Sequence, residues 1–160
     1  EMRNKKNLII SVLPELEKRR KLSREPQEAT IYKGRKGLKS VAEDVLNTKK
    51  PMFVFGAEGR FFEQFTHYAQ QWHSRRGKLN ISLRIIFNEK LRSVKSTANF
   101  PKAEIRFNAH FYDTPATTWI YGDKVAIIVW SAQPLVTLIR SEDVALSYKQ
   151  FFDLMWQNSK

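Results

Sequence analysis

Three histidines, His67, His73 and His110, are the side chains of this sequence that titrate near neutral pH, so acid–base or metal chemistry is weighed on them first. His67 and His73 stand six apart in an aromatic-rich run. That spacing sets them on opposite sides of a helix instead of at the i, i+4 positions of a helical metal pair. The 160 residues contain no cysteine, which excludes disulfides and thiolate ligands, and no metal or cofactor is implied. A structural or surface role is expected for each histidine. No G-x-S-x-G elbow offers a serine nucleophile. "GRKG" (34–37) lacks the length and the closing Gly-Lys-Ser/Thr of a phosphate loop. "GAEG" (56–59) follows a strand and opens a helix, where backbone amides could hold an anion, but Glu58 opposes one and a tight turn is the simpler reading. One frame remains. In "TPATTWIYGDKVAIIVWS" (114–131), Asp123 precedes six residues of apolar strand, and Trp130 and Ser131 follow.

The elements that must position these groups follow from hydrophobic periodicity. Leu8, Ile9, Val12, Leu13, Leu16 and Leu22 recur at helical spacing, with Pro14 starting or bending the helix. "SREPQEAT" (23–30) reads as a polar turn or linker. Leu38, Val41, Ala42, Val45 and Leu46 define an amphipathic helix over 34–46. "PMFVFG" (51–56) is a buried strand, and Phe61, Phe62, Phe65, Tyr68, Ala69 and Trp72 share one face of a helix over 60–79. "ISLRIIFN" (81–88) is a second strand, so this unit is βαβ with parallel strands. After a basic loop come strands at 103–108, 116–121, 124–130 and 135–140, with Gly122-Asp123 as a hairpin turn. Ser141 caps a last helix whose apolar face holds Val144, Ala145, Tyr148, Phe151, Phe152, Met155 and Trp156. The fold class is α/β: a mixed β-sheet flanked by helices, with an N-terminal connector helix. Residues 1–30 form the connector helix and linker, and residues 31–160 the main domain.

Charge narrows the partners. The net charge is +12, and residues 1–50 carry 14 Lys/Arg against 7 Asp/Glu while residues 101–160 carry 6 of each. The positive field of the first hundred residues could steer the chain towards a polyanion. Lys18, Arg19, Arg20 and Lys21 make one cluster; Arg75, Arg76 and Lys78 make another. No apolar run reaches the ~18 residues of a membrane span, and the basic start is a poor signal peptide, so a cytoplasmic protein without membrane contact is expected.

The frame anchored on Asp123 resembles the H-x-K-x4-D-x6-G-S motif of the phospholipase D superfamily. There a histidine takes the phosphoryl group and a lysine binds phosphate oxygens. Here Ala116 stands in the histidine position, Thr118 in the lysine position and Trp130 in the glycine position, while Asp123 and Ser131 are kept. The resemblance therefore implies an empty active site and no enzyme.

A wider resemblance covers about Ile31 to Lys160. "IYKGRKGLKSVAEDVL", "PMFVFGAEGRF", "HSRRGKLNISLRIIFNE", "ATTWIYGDKVAIIVW" and "SEDVALSYKQFFDLMW", in this order, look like the regulatory domain of TrmB-like transcriptional regulators, found largely in archaea. The resemblance implies a degenerate phospholipase-D-like fold that follows a winged-helix DNA-binding module and a dimerising connector. No winged-helix sequence precedes Ile31, so DNA is expected to be read by a module missing from this chain. The implied role is non-catalytic dimerisation and effector sensing in transcription regulation. A homodimer would bury Leu8, Ile9, Val12, Leu13 and Leu16. A small-molecule effector would sit at the carboxyl ends of the parallel strands, near Glu58, Arg60, Asn88, Glu89, Thr117, Trp119 and Asp123. Two other readings stay open: a stand-alone basic nucleic-acid-binding protein, and an active phosphodiesterase using His67 or His73 with Lys124.

Overall fold

The computed structural model describes residues 2–24, 27–94, 100–110 and 113–160, with side chains from residue 3 to 18 in the first of these segments. Helix α1 (Met2–Arg24) leads into strand β1 (Glu28–Lys33), α2 (Gly34–Thr48), β2 (Met52–Ala57), α3 (Arg60–Gln64), α4 (Thr66–Lys78) and β3 (Leu83–Asn88). A short 3-10 turn (Glu89–Leu91) precedes β4 (Ala103–Asn108). The chain closes with β5 (Ala116–Tyr121), β6 (Lys124–Val129), β7 (Leu135–Arg140) and α5 (Glu142–Gln157).

The seven strands form one mixed sheet in the order β1-β7-β6-β5-β2-β3-β4. β2, β3 and β4 run parallel, and β5 lies antiparallel to β2 in register Met52↔Tyr121 to Phe55↔Thr118. The hairpin turns at Gly122, whose φ of 56° suits a glycine in the first central position of a two-residue turn. Alternation along β5 then divides the molecule into layers. Trp119 and Tyr121 join the core beneath α2 and α4, together with Leu38, Val45 and Trp72. Ile120 joins Ile86, Val125, Ala145, Phe152 and Trp156 beneath α5 on the other face. Burying a side chain such as Phe152 or Leu38 in these layers contributes about 1.5–3 kcal/mol.

Polar ties fix the helices on the sheet. The Trp72 indole donates to Ala42 O at 2.8 Å, and Arg75 makes two bonds of 2.7 and 2.6 Å to Glu43, so α4 is held on α2. Tyr121 Oη donates to Asp44 Oδ2 at 2.9 Å, tying α2 to the sheet. Ser141 Oγ accepts from Val144 N at 3.3 Å and caps α5, as expected. At the outer edge, Phe107 and Lys160 exchange both backbone hydrogen bonds, at 2.7 and 3.0 Å, so the end of the chain lies along β4.

Several expectations change. The stretch 23–30 is not all linker: residues 28–30 belong to β1, which pairs antiparallel with β7, so the boundary at Ile31 cuts a strand. The helix expected over 60–79 is broken at Phe65, whose backbone (φ −134°, ψ 42°) leaves helical geometry and whose ring is buried. α1 does not start at Pro14 but runs through it. Phe151 is 57% exposed, because it lies beyond the stripe of α5 that meets the sheet.

Candidate functional site

The carboxyl ends of β2 and β3 form the crevice. Gly56 stands at a β2 irregularity with φ of 70°, and a Cβ there would lie 2.8 Å from Ala116 O, so only glycine lets β5 come this close. Gly56 O accepts from Thr114 Oγ1 at 3.2 Å and from Thr117 Oγ1 at 3.1 Å. Thr117 Oγ1 in turn accepts from Trp130 Nε1 at 2.8 Å. Trp130, standing where the motif has glycine, is thereby tied into the wall.

Above this wall the crevice is filled with rings. Phe61 sits 5.5 Å from Trp119, 5.7 Å from Trp72 and 6.4 Å from Trp130, centroid to centroid. Phe62, His73 and Phe100 form a nearly parallel set, with His73 and Phe100 only 4.3 Å apart. The free volume left among them is about 50 Å³. His73 is 7% exposed and its Nδ1 has no hydrogen-bond partner. Burial, reinforced by the Arg76 guanidinium, pushes its pKa down to about 3, so the imidazole is neutral.

At the mouth, Glu58 is buried and accepts from Asn88 Nδ2 at 3.1 Å, and Lys90 Nζ pairs with it at 3.0 Å. Lys90 also pairs with Asp113, which straps three loops together across the opening. Both contacts hold the Lys90 ammonium above its ordinary pKa, the bond to Asp113 most of all.

The residues expected here separate into three groups. Glu58, Arg60, Thr117 and Trp119 line the cavity, and Asn88 supports it through Glu58. Glu89 turns away to pair with Arg92 at 2.5 Å. Asp123 is misplaced. β5 runs antiparallel to β2, so its beginning, at Thr117, meets the carboxyl end of β2, while Asp123 stands at the other end of the sheet and pairs with Arg140 at 3.4 Å. The phenylalanines, His73 and Phe100 were not in the expected set, although the aromatic helix face pointed to some of them.

The motif positions lie elsewhere again. Ala116 and Thr118 alternate with the cavity-lining Thr117 and Trp119, so they face the α5 side of the sheet. Ser131 is exposed and donates to Gln133 O at 2.5 Å. His67 is exposed on α4, and His110 is exposed after β4. Lys124 is engaged by Asp44 at 2.8 Å, at the Asp123 end of the sheet and away from either α4 histidine.

The basic cluster 75–78 is mostly structural. Arg75 is paired with Glu43, and Arg76 is fully buried, donating to Ile81 O and Pro101 O at 2.5 Å each. Burial lowers the Arg76 pKa to about 10, which leaves it charged at neutral pH. Of the first cluster, Lys18 is exposed; the side chains of Arg19, Arg20 and Lys21 lie outside the described residues. Leu8, Ile9, Val12, Leu13 and Leu16 are 41–68% exposed, so they do not fold back onto their own domain. Among the described residues no group of His, Asp and Glu could hold a metal ion, and no helix is long and apolar enough to cross a membrane.

A mixed seven-stranded sheet with a parallel βαβ half, a β5–β6 hairpin and helices on both faces is a phospholipase-D-like fold. Three particular likenesses among solved structures illustrate this. The chain resembles Nuc from Salmonella typhimurium, a phospholipase D family member, at TM-score 0.61 and 10% identity, over 84% of this chain and 97% of that one. It resembles NucT from Helicobacter pylori at TM-score 0.61 and 10% identity, over 84% and 98%. It also resembles TrmBL2, an archaeal chromatin protein with a novel mode of DNA binding, at TM-score 0.57 and 13% identity, over 97% of this chain and 67% of that one. No protein-family model and no curated protein matches the chain by sequence.

Proposed function

We propose that this chain is a non-catalytic dimerisation domain of a TrmB-like transcriptional regulator, in which a separate winged-helix module reads DNA. The observation that carries the reading is the exposed apolar stripe of α1: Leu8, Ile9, Val12, Leu13 and Leu16 are left largely uncovered by the described residues of their own chain. A run of that kind on a basic helix is stable in water when a partner buries it. The absence of catalysis rests on Ala116, whose methyl group accepts no phosphoryl transfer, and on the one crevice histidine being buried and neutral. The crevice leaves little room for effector sensing. A volume of about 50 Å³ has room for waters, whereas an apolar cavity that takes up benzene measures ~150 Å³.

Light scattering on the wild type and on Leu13→Asp/Leu16→Asp tests the reading. The wild type is expected as a dimer and the variant as a folded monomer, with no phosphodiester hydrolysis by either. A monomeric wild type overturns dimerisation, and metal-free hydrolysis lost on His73→Ala overturns the non-catalytic assignment. The second reading, sequence-independent nucleic-acid binding, draws support from the net charge of +12. Its signature is binding to random duplexes that falls steeply with salt.

A further inference from the structure

A second apolar face is uncovered on the same chain. On α5, Leu146, Phe151 and Leu154 are 59%, 57% and 63% exposed, on the side away from the sheet. The first turn of this helix carries Glu142 and Asp143, both exposed and in no ion pair among the described residues. α1 is its counterpart in charge: Arg3, Lys5 and Lys6 crowd its start, with no acid in the first turn. Cations at a helix amino terminus oppose the macrodipole, so α1 gains from acids placed beside it, and α5 has two to offer.

We infer that α1 of one protomer docks, in parallel, on the exposed face of α5 in a second copy, and that the exchange is reciprocal. The two helices match in register as well as in charge. With Ile9 level with Leu146, Lys5 and Lys6 come level with Glu142 and Asp143. Leu16 falls within one residue of Leu154, a height difference of about 1.5 Å. Phe151 then lies between the heights of Leu13 and Leu16. One contact, repeated by a two-fold axis, covers both bare faces at once. Pairing α1 with its own copy leaves α5 bare, and the parallel form of that pairing sets Lys5 and Lys6 against themselves. The inference rests on the dimer proposed above and specifies its contact.

The absence of cysteine makes the geometry readable. Full-length Ile9→Cys and Leu146→Cys chains are prepared separately, mixed and mildly oxidised. The mixture is expected to give a disulfide-linked dimer, and Ile9→Cys alone little. Charge reversal gives an independent reading: Lys5→Glu/Lys6→Glu weakens the dimer about tenfold, and adding Glu142→Lys/Asp143→Lys restores it. The docking is overturned if Ile9→Cys cross-links chiefly to itself, or if the mixture stays unlinked while light scattering still reports a dimer; either result leaves the proposed function standing. A monomeric wild type removes both.

Discussion

His73 is buried with an unpartnered Nδ1 among aromatic rings, and this has a consequence for acid stability. Its folded pKa of about 3 lies below the ordinary value of 6.5, so between these limits the unfolded chain binds a proton that the folded one refuses. Stability therefore falls as pH drops through that window, by up to about 1.4 kcal/mol per pH unit from this group. Denaturant midpoints measured from pH 7 to 4 should fall less steeply for His73→Phe than for the wild type; parallel curves would assign the acid sensitivity to other groups. At this scale the sequence was partly legible. The aromatic helix face was legible only as a buried face, whereas Glu58 and Arg60 were legible beside the cavity because a strand–turn–helix pattern places them at the end of β2. Asp123 was not, since local spacing does not show that β5 would pair antiparallel to β2 and carry its far end away from the crevice.

α1 is the element on which the proposed assembly depends, and Pro14 sits in its interior. A proline there removes one hydrogen bond and crowds the preceding turn, at a cost of ~3 kcal/mol. Pro14→Ala is expected to raise helical ellipticity and to tighten the dimer, read by circular dichroism and by dilution in light scattering. Unchanged ellipticity would mean that α1 is fully formed despite the proline. Helices with a strong apolar face, α2 above all, were visible from periodicity alone. β1 was not, because as an edge strand it is exposed along nearly its whole length and shows neither alternation nor a hydrophobic run. The break between α3 and α4 was equally hidden: helical spacing continues through Phe65, and it is the burial of that ring that bends the backbone.

The folding unit of the whole molecule begins before the apparent domain boundary. Glu28, Ala29 and Thr30 pair with Arg140, Ile139 and Leu138, so half of β1 precedes Ile31. A fragment starting at Gln27 is expected to fold as a monomer, while one starting at Ile31 should melt about 5–10 °C lower. Equal melting temperatures would show that the first half of β1 adds nothing. The two rims of the sheet are also unequal: the backbone of Lys160 already occupies the partners that Phe107 would offer a stranger, whereas β1 presents Ile31 and an open ladder to solvent. Misassembly of this protein thus has a direction. Aggregates formed in a heated, concentrated stock would recruit new strands at residues 28–33 sooner than at Phe107, whose backbone partners are taken.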